Sequence, residues 1–201
     1  MNIVFSGPSG AGKGSIIKKI HEMSGLTKSV SYTTREQREG EVPGWDYNYI
    51  DLETFMELKR KGFFFEITEY GGNFYGISKK NISLVSDDKI TMFDLVPTSG
   101  LNLKNHFENT CLIYIVPPDF ATLTFRRGDR GDHRLIRDME QMKFAAKAYD
   151  YIVINDDLDN AVNQVYSIID VFKRNSISNN LLFLKNFFSL EEKPKVKKRI
   201  K

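Results

Sequence analysis

Between an apolar run, Asn2 to Ser6, and a stretch at helical spacing, Ser15 to Met23 with Ile16, Ile17 and Ile20, lies Gly7-Pro8-Ser9-Gly10-Ala11-Gly12-Lys13-Gly14-Ser15. Four glycines and a lysine in nine residues constrain this chain more than any other segment. Glycine adopts backbone angles closed to other residues, so the chain can wrap with its N–H groups turned inward. A helix beginning at the end of such a loop adds the positive end of its dipole, and Lys13 adds a full charge. The segment therefore predicts strand, loop and helix around a polyphosphate. Loops of this kind usually carry Ser or Thr directly after the lysine as a magnesium ligand. Here that place is Gly14 and the hydroxyl follows at Ser15. No direct metal ligand is expected from the loop, which leaves Ser15 to act through water.

The remaining chain reads as alternating elements. Val30 to Gly76 consists of short aromatic and β-branched pieces broken by Gly40, Pro43-Gly44 and Gly71-Gly72, with one helical stretch from Leu52 to Lys61. Lys89 to Val96, Thr110 to Val116 and Tyr151 to Ile154 are apolar runs of strand length, as expected of buried parallel strands. Phe120 to Lys147 is charged and helical with a break at Arg127-Gly128-Asp129-Arg130-Gly131, and Leu158 to Phe172 is a further helix. Strands alternating with helices predict a three-layer α/β domain on a parallel sheet. Beyond it, the polar Asn175 to Asn180 predicts a break, then a loosely docked helix over Leu181 to Leu190 and a disordered basic end.

Composition narrows the function classes. The 201 residues are 41% hydrophobic and 27% charged, ordinary for a globular chain. Cys111 is the only cysteine and there are three histidines, so an internal disulfide is ruled out and a Cys/His zinc site is not expected. The absence of a long apolar run or an export signal leads us to expect a cytoplasmic protein without membrane association. Residues 176–201 carry a charge of +5 against a chain total of +3, so the first 175 residues sum to about −2. A nucleic-acid surface on the body is not expected, and contact with a polyanion or partner could rest only on the tail.

A second constellation follows the loop by some thirty residues: Ser31-Tyr32-Thr33-Thr34-Arg35-Glu36-Gln37-Arg38-Glu39-Gly40-Glu41-Val42-Pro43-Gly44-Trp45-Asp46-Tyr47. Two arginines three apart, set among hydroxyls, can fork around one phosphate because their donors are planar and permanently charged. This pattern, the glycine loop and Gly72-Asn73-Phe74-Tyr75-Gly76 together resemble guanylate kinase, as do Pro117-Pro118, Arg130-Gly131 and Tyr149 to Leu158. The likeness covers residues 3 to about 173.

That resemblance implies the P-loop nucleoside monophosphate kinase fold. A core (1–30, 86–119 and 147–174) would carry an inserted β-rich GMP-binding domain (31–85) and a helical lid (120–146), with 175–201 an appendage. It implies Mg-dependent transfer of the ATP γ-phosphoryl group to GMP or dGMP. By position, Gly7 to Ser15 would bind ATP, Ser31 and Glu66 would face guanine, and Arg35, Arg38, Tyr47 and Tyr75 would hold the GMP phosphate. Lys13, Arg130, Arg137 and Asp94 would be catalytic, with Arg134 competing with Arg137 for the second lid position and Arg126 and Arg127 nearby. Asp94 would meet magnesium through water.

Two further departures from the family pattern stand beside Gly14. Ile77 replaces a hydroxyl residue after Tyr-Gly, and Val96 replaces the second aspartate of Asp-x-Asp. Besides an active guanylate kinase, two readings remain open: a monophosphate kinase with relaxed base choice, and a non-catalytic module binding phosphorylated peptides.

Overall fold

The computed structural model describes residues 1–82, 89–127 and 132–191, with side chains over 1–82, 89–126 and 136–174. The core sheet is built on β1 (Asn2–Ser6), which is buried along its whole length and pairs in parallel with β7 (Thr91–Asp94) and β8 (Thr110–Val116). The edges are β2 (Thr27–Lys28) beside β7 and β9 (Tyr151–Ile154) beside β8, giving the order β2-β7-β1-β8-β9. The chain leaves β1 toward one side of the sheet and returns to the other, so a crevice opens at the carboxyl end of β1.

Successive side chains along a strand point to opposite faces. Ile3, Phe5, Cys111, Ile113 and Ile115 therefore face one way, against α1 (Lys13–Ser24) and α7 (Leu158–Glu191). Val4, Phe93 and Leu112 face the other, against Leu103 of α4 (Pro97–His106) and Tyr149. These are the expected three layers.

The insertion carries a second sheet of order β4-β3-β6-β5, formed by β3 (Tyr32–Thr33), β4 (Asn48–Tyr49), β5 (Phe64–Tyr70) and β6 (Asn73–Ser78). Helix α2 (Leu52–Arg60) starts where the Asp51 carboxylate accepts from the Thr54 N–H at 2.7 Å, and it buries Phe55 against Phe64 and Phe74. A short α3 (Lys79–Ile82) follows, and the boundary expected at 85/86 lies outside the described residues. The segment expected to form a lid holds α5 (Phe120–Arg127) and α6 (Asp132–Ala148).

One expectation is corrected. Helix α7 runs from Leu158 to Glu191 through Asn175–Asn180, where a break was predicted. Asn and Ser each disfavour a helix interior by only about half a kcal/mol, and the segment holds neither Gly nor Pro. The basic end beyond Glu191 lies outside the described residues.

Helix α4 can approach the sheet because Gly100 has no side chain: a Cβ there would lie 2.5 Å from Tyr149 Oη and 2.9 Å from Val4 Cγ1. Tyr149 is not free to yield, since its hydroxyl is 2.6 Å from Ser6 Oγ. Gly100→Ala should therefore lower stability by about 1–3 kcal/mol in urea denaturation, although Ala is the better helix former by about 1 kcal/mol. An unchanged or raised midpoint would refute the packing argument.

Candidate active site

The loop after β1 is pressed into the core at two glycines. At Gly7 (φ 153°) a Cβ would sit 2.2 Å from the Ile115 carbonyl oxygen, and at Gly12 (φ 87°) another would sit 2.2 Å from Asn155 Nδ2. Asn155, buried at the end of β9, donates that amide to the Ala11 carbonyl at 2.7 Å and its own N–H to Val116 at 2.7 Å. Arg126 of α5 donates to the Asn155 carbonyl at 3.0 Å. Helix α1 begins at Lys13, whose ammonium rests on the Gly7 carbonyl at 2.8 Å. The first N–H groups of a helix have no partner within it, so this turn supplies donors to an anion.

Across from the loop, Glu41 organises the arginine segment. Its carboxylate accepts both contacts from Arg35 Nη2 (2.7 and 3.0 Å), the Arg38 N–H (2.9 Å) and the Tyr49 hydroxyl (2.8 Å). Burial works to raise the Glu41 pKa, but these hydrogen bonds and the guanidinium charge outweigh it and hold it at about 2. The Arg35 guanidinium lies over the rings of Tyr47 (5.4 Å) and Tyr49 (5.8 Å), and Tyr47 packs edge-on against Tyr75. Burial and the nearby Asp94 push the Tyr47 pKa well up, so its hydroxyl stays protonated and can donate. Lys28 of β2 donates to the Trp45 and Asp46 carbonyls and ties this segment to the core sheet.

Glu66 stands at the far end. The register of β5 shifts between Phe64 and Glu66, the kind of irregularity that re-aims a side chain, and Glu66 lines the cleft. Asn102 of α4 donates to its Oε2 at 2.9 Å, and the Thr68 hydroxyl makes a long 3.4 Å contact with Oε1.

These groups share one cleft of about 420 Å³. Gly7, Ser9, Gly10, Gly12, Lys13, Gly14 and Ser15 line one wall; Ser31, Arg35, Arg38, Tyr47, Glu66 and Tyr75 line the other, with Asp94 between. Pro8 and Ala11 are buried behind the loop and hold its shape, the Ala11 N–H donating to the Pro8 carbonyl at 3.1 Å. Arg137 borders an adjoining space of about 330 Å³ with Gln141 and lies over the Tyr70 ring at 5.0 Å. Arg130 lies outside the described residues, and the side chains of Arg127 and Arg134 outside those described.

The sequence profile of the family described as guanylate kinase matches residues 1–171. The chain belongs to the guanylate kinase family. Curated guanylate kinases from Lactococcus lactis and Thermotoga maritima are 36% and 35% identical to it, over 84% and 83% of this chain and 86% and 84% of theirs. The crystal structure of guanylate kinase from Anaplasma phagocytophilum superposes with a TM-score of 0.73 at 28% identity, covering 86% of each chain.

The geometry of this family member adds residues that sequence reasoning missed. In the sequence Glu41 and Asn155 stand only as members of longer motifs, and Asn102, Thr68 and Ser99 belong to none. For Glu41 a signal was present: it stands six positions after Arg35 and three after Arg38, close enough to pair with either. Asn102 lies 36 positions from Glu66, with no local pattern to betray the pair.

With a folded pKa of about 2 against an ordinary 4.5, Glu41 contributes stability above pH 4.5 that is lost as pH falls toward 2. The Arg35 and Glu41 side chains are 10% and 20% exposed, so screening is modest. Glu41→Gln should be about 1–2 kcal/mol less stable at pH 7 and converge with the parent near pH 2 in pH-resolved thermal unfolding. A constant difference across that range would contradict the arrangement.

Proposed function

We infer that this chain transfers the γ-phosphoryl group of ATP to GMP or dGMP, giving ADP and GDP or dGDP. The observation that carries the reading is the single cleft with a glycine-rich anion loop on one wall and an arginine–tyrosine cluster on the other. Phosphoryl transfer asks little covalent chemistry of the protein; the barrier lies in bringing two polyanions into line and stabilising the moving charge.

In this reading the loop N–H groups and Lys13 hold the β- and γ-phosphates of ATP. Lys13 exchanges the Gly7 carbonyl for a phosphate oxygen. Arg35, Arg38, Tyr47 and Tyr75 hold the acceptor phosphate, and Arg35 brings to it a guanidinium already oriented by Glu41. Ser31 and Glu66 receive the base. Guanine presents N1–H and an amino group along one edge, which a carboxylate accepts; adenine presents a lone pair at N1 and is repelled. Arg130 and Arg137 act from the lid, and closure of lid and acceptor domain excludes water.

A kinase of this family works on ATP with a metal ion. Ser15 and Asp94 line the cleft and are hard oxygen donors of the type that magnesium contacts through its retained waters. When bound, the ion neutralises charge on the β- and γ-phosphates. No helix among the described residues is long and apolar enough to cross a membrane. We assign the reaction to the cytoplasm, where both nucleotides are found. The peptide-binding alternative gives no role to the complete phosphate loop and is set aside.

The test is ADP release by purified protein with Mg-ATP and each of GMP, dGMP, AMP, UMP and CMP. Turnover should be confined to GMP and dGMP, and turnover with AMP instead would refute the assignment of Glu66. Lys13→Ala should lower kcat at least about a thousandfold. Arg38→Ala should raise KM for GMP about ten- to a hundredfold, and an unchanged GMP dependence would remove it from the acceptor site.

A further inference from the structure

Two polar residues of α4 meet two of β5 at the base end of the cleft. Ser99 and Asn102 are three apart and share a helix face; Glu66 and Thr68 are two apart and share a strand face. Asn102 reaches Glu66 Oε2 at 2.9 Å, and Ser99 Oγ lies 2.8 Å from Thr68 Oγ1. Glu66, Thr68 and Ser99 all line the cleft, and Ser99 is 4% exposed. The strand beside β5 contributes no hydroxyl here, because Ile77, in register with Glu66, is 4% exposed and packs with Val4, Phe93 and Leu95.

Resting on the guanylate kinase reading, we propose that the Ser99–Thr68 hydroxyl pair recognises the 2-amino group of the acceptor base, with Asn102 as a positioning residue for Glu66. The direction of the hydrogen bonds makes this specific. Either hydroxyl of the 2.8 Å pair can donate; in the proposed arrangement Thr68 donates to the charged Glu66 Oε1, 3.4 Å away, and Ser99 donates to Thr68. Ser99 Oγ is then left with lone pairs and no proton to offer the cleft. Guanine carries three N–H bonds on this edge, one at N1 and two on the amino group. The two outward oxygens of Glu66 can take the N1–H and one amino hydrogen; Ser99 takes the other. Asn102, by occupying a lone pair on the inner side of Oε2, fixes the carboxylate plane.

Inosine monophosphate lacks only the 2-amino group, and it isolates the effect. We compare kcat/KM for GMP and inosine monophosphate, with Mg-ATP, in the parent and in Ser99→Ala, Thr68→Val and Thr68→Ser. The preference for GMP should fall about five- to tenfold in Ser99→Ala and Thr68→Val, with the loss falling on GMP, and should be restored in Thr68→Ser. Equal losses on both nucleotides, or an unchanged preference, would overturn the proposal while leaving the kinase reading intact. If Thr68→Val fails to unfold cooperatively, Ser99→Ala decides alone. A parent protein that turns over neither nucleotide would sink the kinase reading and the proposal with it. For Asn102→Ala, KM for both nucleotides should rise more than kcat falls; a fall in kcat at unchanged KM would mark a general structural role instead.

Discussion

Beside the Ile115 carbonyl there is room at residue 7 for a backbone and nothing more. That close pass, repeated at Gly12 against Asn155, fixes the path of the loop and sets the direction in which α1 leaves it. The N–H groups at the start of α1 and the ammonium of Lys13 owe their positions to it. Asn155 links the same loop to β9, and through its carbonyl to Arg126 of α5. The proposed donor wall is thus built from backbone held by the core sheet, which is why small residues occupy it and why charge enters only at Lys13.

The proposed acceptor wall is built the opposite way, from long side chains on and beside a small sheet. An uncompensated Arg35, its side chain 10% exposed, would be costly and poorly ordered; Glu41 answers both problems with two contacts to the guanidinium, and its contacts to the Arg38 N–H and the Tyr49 hydroxyl fix the loop around it. A carboxylate held at a pKa of about 2 remains charged throughout the physiological range, so the Arg35 guanidinium stays oriented before a phosphate arrives. In the proposed acceptor site such preorganisation lowers the ordering cost of binding.

The sequence made the core easy to read and the seams hard. Strand β8 begins and ends where its apolar run does, because a strand buried on both faces needs an unbroken run; β9 also matches its run, although as an edge strand it leaves Ile152 and Ile154 about half exposed. The loop and the arginine segment were legible because their chemistry is local: glycines adjacent to a lysine, arginines three apart. The two-residue strands β2, β3 and β4 were not, since their pairing partners fix them and their own pattern does not. Helix α7 outran its expected end because polar residues without Gly or Pro interrupt a helix only weakly. The contacts of Asn102 with Glu66 and of Ser99 with Thr68 join segments 31 to 36 residues apart, a separation at which no periodicity speaks.

That donor and acceptor sites face each other across one cleft is the central claim. Its most direct measurement is calorimetric titration with a bisubstrate compound, adenosine and guanosine joined through their 5′ oxygens by five phosphates. A single cleft predicts one equivalent bound at least about a hundredfold more tightly than GMP, with the gain lost in both Lys13→Ala and Arg38→Ala. Binding no tighter than that of GMP or ATP alone would mean that the two walls do not act on one pair of nucleotides, and would contradict the account.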